Sequence, residues 1–511
     1  SASVNKVVIQ GGNITTSGAI DLKGTSRTTQ LFSYATITTT DSRVLAGTVN
    51  GGTGTAPGTY NLVISNGSGE INLGDIGAVI ALRSMTLQGT GLNNLGTITT
   101  TVGYDLGALR ETTLNVDTTY VNQNNQVVLG RFTLGNGVTL TLGDGGSATI
   151  SVVLIRGTAS GTASYVVINS LSTVSVSETI GTDIGTITVQ NSGGATFGGT
   201  VDTVTSVVIT DTTDAATVAF NGALTTPTLT TASQAYNLAL NATGTAITNA
   251  VTFLNTGTLA LGASAGTQTY TGGFTATAPS ASTLKGTINS SNAAMVLGPV
   301  TLGANTTLNT NATTNAGDIT LGAVTLGSYT LSLQTGNAIS GADVSGTSVT
   351  GSGSLALQNI GGTVSFTGAV SPASLTVPNT VVNVALTGST GTVTNAVTFA
   401  NTGTLVLGAN GGTQTYTGGL VATAPSGLTV YGTLATTNTT LTIGGVSDVF
   451  STTTLASATD TTPDAAPWMP RAGVRGAARG LDPLDPDGGR CGGSCAVAAA
   501  RPRRRRRPRD R

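Results

Sequence analysis

The sequence predicts an all-β protein built as a parallel β-helix, or β-solenoid, with a disordered C-terminal tail. Three observations predict it: short strands that alternate apolar and polar residues, turn residues at regular intervals, and an internal repeat. We divide the chain into an N-terminal part of the solenoid, residues 1–185, a repeat-bearing part, residues 186–458, and a disordered basic tail, residues 459–511.

The composition is that of a folded β protein with few charges. Charged residues make up 8% of the 511 residues, against roughly 25% in a typical globular domain. Gly (72 residues) and Pro (14) together reach about 17%, below the roughly 25–30% of unstructured chains. The mean hydropathy is positive, at +0.22. Threonine and valine suit strands, and glycine and asparagine suit turns, so this composition favours short strands joined by tight corners.

The alternation is short and frequent. Val138, Leu140 and Leu142 are separated by threonines, and residues 251–253 and 329–333 follow the same pattern, with Tyr329 as an apolar position. Turn signals such as residues 135–137 recur about every 8–12 residues, as in a protein of many short strands.

One segment of the chain occurs twice. Residues 248–280 and 394–426 are identical at 27 of 33 positions, with an offset of 146 residues. Short strands cannot bury their own apolar face, so stacked copies must bury it for one another. Coils of about 20–25 residues, stacked about 4.8 Å apart, achieve this. We expect the two copies to be related by translation along one axis, with Phe253 and Phe399 both pointing inward. Tandem β-sandwich domains are the alternative architecture.

The tail differs from the rest of the chain. Twelve of the 21 basic residues are Arg471 or later, and strand alternation stops near Asp460. A basic arm for an anionic partner is one interpretation, and a shifted reading frame of a GC-rich gene is the favoured one. The only cysteines, Cys491 and Cys495, lack further ligands and do not predict a zinc site.

No residue pattern predicts catalysis. The chain has no histidine, which removes the usual general base and the commonest transition-metal ligand. The densest charged group, Asp105, Arg110, Glu111 and Asp117, is interpreted as a solvated loop. We therefore predict that the protein is not an enzyme, with no catalytic, metal or cofactor-binding residues, no cofactor, and binding residues that the sequence does not identify.

Three phrases resemble very large bacterial surface proteins: GTQTYTGG at 266–273 and 412–419, ITLGAVTLG at 319–327, and TNAVTF at 248–253 and 394–399. They are similar to β-strand-repeat proteins of the filamentous-haemagglutinin-like and autotransporter-passenger adhesin families. The resemblance implies a β-solenoid on the outer cell surface or outside the cell, with roles in adhesion, aggregation or biofilm.

The expected partners are a host or neighbouring-cell surface, glycans or a second copy of the chain, with no nucleic acid and no membrane-spanning segment. The alternative function is a passive structural element such as a surface layer, fibre or stalk. An exposed apolar or aromatic patch on one face favours the adhesin, and a uniformly polar exterior favours the structural element.

Overall fold

A computed structural model describes residues 6–23, 28–120, 126–158, 161–181, 183–444, 446–449 and 454–457. These residues form 56 strands and no helix, so none of them lies in a helix able to cross a membrane. Every strand pair is parallel and joins residues 18 to 27 positions apart, as Ser282 with Val300 and Thr36 with Val63. The strands therefore belong to the stacked coils of a β-solenoid of about 20 turns. This confirms the predicted fold class and excludes the β-sandwich alternative, whose strands pair antiparallel.

The coils are continuous across the expected division at residue 185. Ile184–Ser192 pairs with Ser164–Ser170 on one side and with Ser206–Ile209 on the other. The predicted disordered tail, residues 459–511, lies outside the described residues.

Each coil crosses three faces in a fixed order along the chain. The strands of the first face are Asn13–Thr16, Ala35–Thr39, Asn61–Ser65, Leu82–Gln88, Thr100–Asp105, Val174–Val176, Ala195–Phe197, Thr217–Phe220, Asn237–Leu240, Thr258–Leu261, Val324–Thr325, Val349–Thr350, Val370–Ser371, Thr390–Val393, Thr413–Tyr416, Thr433–Thr436 and Thr454–Ser457.

The strands of the second face are Ile20–Leu22, Val44–Ala46, Ile71–Leu73, Leu92–Leu95, Glu111–Leu114, Ile180–Gly181, Val201–Asp202, Leu224–Thr226, Ala246–Ile247, Thr267–Tyr270, Thr330–Gln334, Ser354–Leu357, Ser374–Thr376, Val397–Thr398, Leu420–Ala422 and Leu441–Ile443. Four strands run without a break from the first face onto the second: Gln126–Leu134, Ile150–Gly157, Ala281–Asn289 and Val300–Asn309.

The strands of the third face are Lys6–Ile9, Thr28–Leu31, Val49–Gly51, Thr118–Tyr120, Thr139–Leu142, Ser164–Ser170, Ile184–Ser192, Ser206–Ile209, Thr228–Thr231, Val251–Thr252, Phe274–Ala276, Met295–Leu297, Ile319–Leu321, Val344–Gly346, Ile360–Phe366, Val381–Leu386, Thr404–Leu407, Gly427–Val430 and Val446–Val449. Single bridges at Ile76 and Ile98 continue this face where no longer strand forms.

The interior is filled by the inward residue of each alternating pair. Val138, Leu140 and Leu142 are all buried, as predicted. Like side chains stack in register between coils: Phe197 is paired with Phe220, and their rings lie parallel with centroids 4.6 Å apart. The prediction is wrong for Tyr329, which is exposed because it precedes strand Thr330–Gln334 and lies in a corner.

The two copies of the repeat have the same local structure. Thr258–Leu261 and Thr404–Leu407 show the same sequence of exposed and buried positions, and so do Thr267–Tyr270 and Thr413–Tyr416. Phe253 and Phe399 are both fully buried, which confirms the predicted inward orientation.

A buried glutamine has the same partners in both copies. Gln268 Nε2 donates to the backbone oxygens of Leu240 and Ala242 at 2.8 and 2.9 Å, and Gln268 Oε1 accepts from the Tyr270 hydroxyl at 3.0 Å. In the second copy Gln414 Nε2 donates to the backbone oxygens of Leu386 and Gly388, and Gln414 accepts from Tyr416. These bonds satisfy an amide that would otherwise be costly to bury.

The copies are not related by translation alone, so that part of the prediction is wrong. Thr258–Leu261 belongs to the first face, whereas its equivalent Thr404–Leu407 belongs to the third. The chain crosses six complete coils and two further faces between them. The offset of 146 residues is therefore not a whole number of coils, and the second copy is rotated by one face about the solenoid axis.

Truncating the equivalent phenylalanines should destabilise both copies. Phe253→Ala and Phe399→Ala each empty a fully buried site and should lower the free energy of unfolding by about 3–5 kcal/mol. Phe253→Ala should cost more, because Phe253 also contacts Phe274, whose equivalent is Leu420. Denaturant unfolding, monitored by circular dichroism, measures the free energy of unfolding of both variants.

Leu254→Ala is the matched control, since Leu254 is 41% exposed and alanine stands at the equivalent position 400. We expect its effect to stay within about 0.5 kcal/mol. Equal stability of Phe399→Ala and the unmodified protein would contradict the equivalence of the two copies.

Candidate binding surface

The charged group singled out by the sequence does not form one site. Asp105 Oδ1 accepts a hydrogen bond from the backbone nitrogen of Gly107 at 2.8 Å, and exposed Asp117 accepts from the backbone nitrogen of Thr139 at 2.8 Å. Glu111 lies on the outer side of the second face. Arg110 is fully buried, so the interpretation of a solvated loop is wrong for this residue.

The Arg110 guanidinium donates five hydrogen bonds, one for each of its N–H groups. Nε donates to Asn93 Oδ1 at 2.5 Å, and Nη1 donates to Asn66 Oδ1 at 2.9 Å. The other three bonds go to backbone oxygens, those of Gln88 at 3.2 Å and of Gly69 and Leu92 at 3.0 Å. Burial lowers the pKa of Arg110 to about 10, so the group stays protonated at neutral pH.

The arginine ties neighbouring coils together at the corner between the first and second faces. Asn66 and Asn93 are buried themselves and donate their amide hydrogens to backbone oxygens, as Asn66 Nδ2 does to Gly69 at 2.8 Å. Gly107 leaves room for the side chain, because a Cβ there would lie 3.0 Å from Arg110 Cγ. Every N–H group of the Arg110 cation is hydrogen-bonded to a neutral oxygen. Arg110 therefore belongs to the framework of the solenoid and not to a binding surface.

Two further arginines form ion pairs that cross coils on the outer surface. Arg156 Nη2 lies 2.9 Å from Glu111 Oε1, and Arg131 Nη2 lies 2.8 Å from Glu178 Oε1. Exposed pairs of this kind contribute roughly 0–1 kcal/mol. Within the part of the chain that the structure describes, no three acidic or cysteine side chains converge on a point where a metal ion would fit.

Aromatic side chains gather on the outside at one corner, between the third and first faces of the N-terminal coils. This aromatic corner consists of Phe32, Tyr34, Tyr60, Val79 and Ile80. Tyr34 is 56% exposed and Val79 is 81% exposed, and the other three are half-buried. Large apolar groups exposed together are more informative than the same groups scattered singly.

Contacts between coils fix the aromatic corner. The Tyr34 and Tyr60 rings meet edge to face with centroids 6.1 Å apart, and the Lys6 ammonium lies 5.6 Å from the centroid of Phe32. Two glycines leave room for neighbouring side chains. An ideal Cβ at Gly52 would lie 2.5 Å from the Phe32 ring, and one at Gly51 would lie 2.8 Å from Ile80 Cγ2.

Buried Asn50 holds the loop that carries Val79. Its Oδ1 accepts hydrogen bonds from the backbone nitrogens of Val79 and Ile80 at 2.9 and 3.4 Å. The exposed groups are thus presented on an ordered corner, which lowers the conformational entropy that binding would cost. Sequence reasoning did not identify this site, since the residues come from three coils and share no motif.

Comparison of the chain with known protein families, with curated proteins and with solved structures finds no match. Of what the resemblance to bacterial surface proteins implies, the structure supports the β-helix repeat architecture.

Arg110→Met should destabilise the solenoid by about 3–5 kcal/mol, because it leaves buried oxygens of Asn66 and Asn93 without their donor. Arg83→Met removes an exposed cation of the adjacent coil and should change stability by no more than about 0.5 kcal/mol. Chemical denaturation of both variants checks this. If Arg110→Met unfolds at the same denaturant concentration as Arg83→Met, the buried network does not stabilise the coils.

Proposed function

We propose that the protein is a bacterial cell-surface or secreted attachment protein, an adhesin, that contacts another surface through the aromatic corner. One observation carries the proposal: the corner exposes Tyr34 and Val79 beside half-buried Phe32, Tyr60 and Ile80, on a framework whose outer positions are otherwise mainly threonine, serine and asparagine. An exposed aromatic patch is the feature that distinguishes an adhesin from a uniformly polar stalk.

The chemistry of the corner suits recognition of a cell surface. A tyrosine ring offers an apolar face and a hydroxyl, and aromatic residues dominate the binding energy of many interfaces. Tyr34 is held by its contact with Tyr60, so few rotamers are lost on binding. The expected partners are a host or neighbouring cell, its glycans, or another copy of the chain, outside the cell or on its outer surface.

A passive structural role is the second candidate. The regular polar exterior of the later coils favours it. There Asn237 Oδ1 accepts a hydrogen bond from the backbone nitrogen of Thr258 at 2.8 Å, and Asn383 Oδ1 accepts one from the backbone nitrogen of Thr404 at 2.9 Å. Such ladders link coils without presenting an apolar surface, as a stalk or fibre requires.

The variant Tyr34→Ser/Val79→Ser separates the two candidates. It removes exposed side chains without emptying the core, so the fold should persist while attachment to whole cells falls at least about tenfold. The purified, labelled protein is incubated with cell suspensions and the bound fraction is measured as a function of concentration. Tyr165→Ser is the control, because Tyr165 is 40% exposed but belongs to strand Ser164–Ser170 of another part of the solenoid.

Two results would contradict the proposal. An unmodified protein that attaches to no tested cell would favour the structural role. Attachment that is equal in the unmodified protein and in Tyr34→Ser/Val79→Ser would assign binding to another surface.

A further inference from the structure

A groove of about 600 Å³ crosses the corner between the first and second faces in the repeat-bearing part. It exists because one coil takes this corner more tightly than its neighbours. In strand Ala281–Asn289 only two residues, Lys285 and Gly286, separate the paired positions Leu284 and Thr287. Five residues (262–266) make the same corner in the coil before, and four (303–306) in the coil after.

The tight corner depends on two glycines. An ideal Cβ at Gly262 would lie 1.8 Å from the backbone oxygen of Lys285, and one at Gly286 would lie 2.3 Å from the backbone oxygen of Ala263. Both glycines have positive φ, +91° and +67°, a region that other residues rarely adopt. The groove is therefore built into the backbone and does not depend on a side-chain rotamer.

The lining of the groove combines hydroxyl and amide side chains with two alanines and one aromatic ring. Ser264 and Ala265 line one side, and Asn305 and Tyr329 line the other, with the Tyr329 side chain 37% exposed. The floor continues as a row of hydroxyls, Thr287, Thr307 and Ser332, which are paired in register on three successive coils. Adjacent hydroxyls in this row are separated by the strand spacing, about 4.8 Å.

The groove lies beside an isolated positive charge. Lys285 is the only charged residue between Asp214 and Asp318. Its aliphatic stem lies over Gly303, where an ideal Cβ would be 2.7 Å from Lys285 Cε, next to the wall residue Ala304. The residues that line the groove include no acidic side chain, and no ion pair of Lys285 is found among the described residues.

We propose that this groove binds an acidic oligosaccharide. The Lys285 ammonium takes a sugar carboxylate, the Tyr329 ring packs against the apolar face of a sugar ring, and the row from Thr287 to Ser332 exchanges hydrogen bonds with sugar hydroxyls. A cation in a stretch that otherwise carries no charge selects an acidic chain over a neutral one, since the neutral chain leaves the ammonium without a partner.

The coil that follows the second copy of the repeat has the same tight corner without the charge. An ideal Cβ at Gly432 would lie 2.4 Å from the backbone oxygen of Ala409, as at Gly286, and Tyr431 stands at the position of Lys285. The backbone of the corner is thus common to the coils that follow the two copies, and the cation is particular to the coil after the first copy. This difference assigns the preference for acidic sugars to Lys285.

Two hexasaccharides test the proposal on the full chain by isothermal titration calorimetry. The acidic probe is the hyaluronan hexasaccharide, which alternates glucuronate with N-acetylglucosamine, and the neutral probe is hexa-N-acetylchitohexaose. We expect the unmodified protein to bind the acidic probe at least about tenfold more tightly. Lys285→Gln, which keeps most of the stem, should weaken binding of the acidic probe about tenfold or more and abolish the preference.

Two further variants make the result specific. Thr307→Tyr fills the floor of the groove at an outward position and should abolish binding of both probes, whereas Arg83→Gln removes an exposed cation of the N-terminal coils and should leave binding unchanged. Circular dichroism checks that each variant remains folded.

The proposal is overturned if the unmodified protein does not bind the acidic probe, if both probes bind equally, or if Lys285→Gln or Thr307→Tyr binds like the unmodified protein. An equal loss in Arg83→Gln overturns it too, since binding would then follow net charge. None of these results depends on the aromatic corner, which can mediate attachment whether or not the groove binds sugars.

Discussion

Each coil must return to within one strand spacing of the coil before it, and the rest of the structure follows from this constraint. Parallel pairing at about 4.8 Å fixes the course of the chain on all three faces, because a missed pairing leaves backbone groups without partners. The pairing steps nevertheless range from 18 to 27 residues. The faces cannot absorb that difference, so extra or missing residues are accommodated at corners. The aromatic corner includes one long corner, residues 52–60, and the groove is made by a short one.

The same constraint determines which polar residues can enter the interior. A buried side chain at a corner faces backbone oxygens that have turned out of the strand ladder, and it can satisfy them. Arg110 does this with five donors, and Asn255 and Asn401 do it in the two copies of the repeat by donating to Thr258 and Thr404. Polar groups inside this solenoid are thus part of how its corners close.

The sequence was sufficient to predict the architecture because each coil repeats the same local rule. Alternation identified Val138, Leu140 and Leu142 as core residues, and the duplicated segment identified the inward direction of Phe253 and Phe399. The orientation of the second copy was not predictable, since it depends on the number of residues in each corner between the copies. Arg110 was misassigned because burial of a cation depends on oxygens from other coils. The aromatic corner and the groove were missed for the same reason: no local pattern relates Tyr34 to Val79, or Lys285 to Tyr329.

The rotation of the second copy by one face determines how such a chain distributes its surface features. Had the offset been a whole number of coils, both copies would present equivalent corners along the same edge of the solenoid. With the observed offset, the corner between the first and second faces in one copy becomes the corner between the third and first faces in the next. A third copy with the same spacing would occupy the remaining edge. Duplication at this interval therefore distributes equivalent corners around the circumference, so that they face different directions.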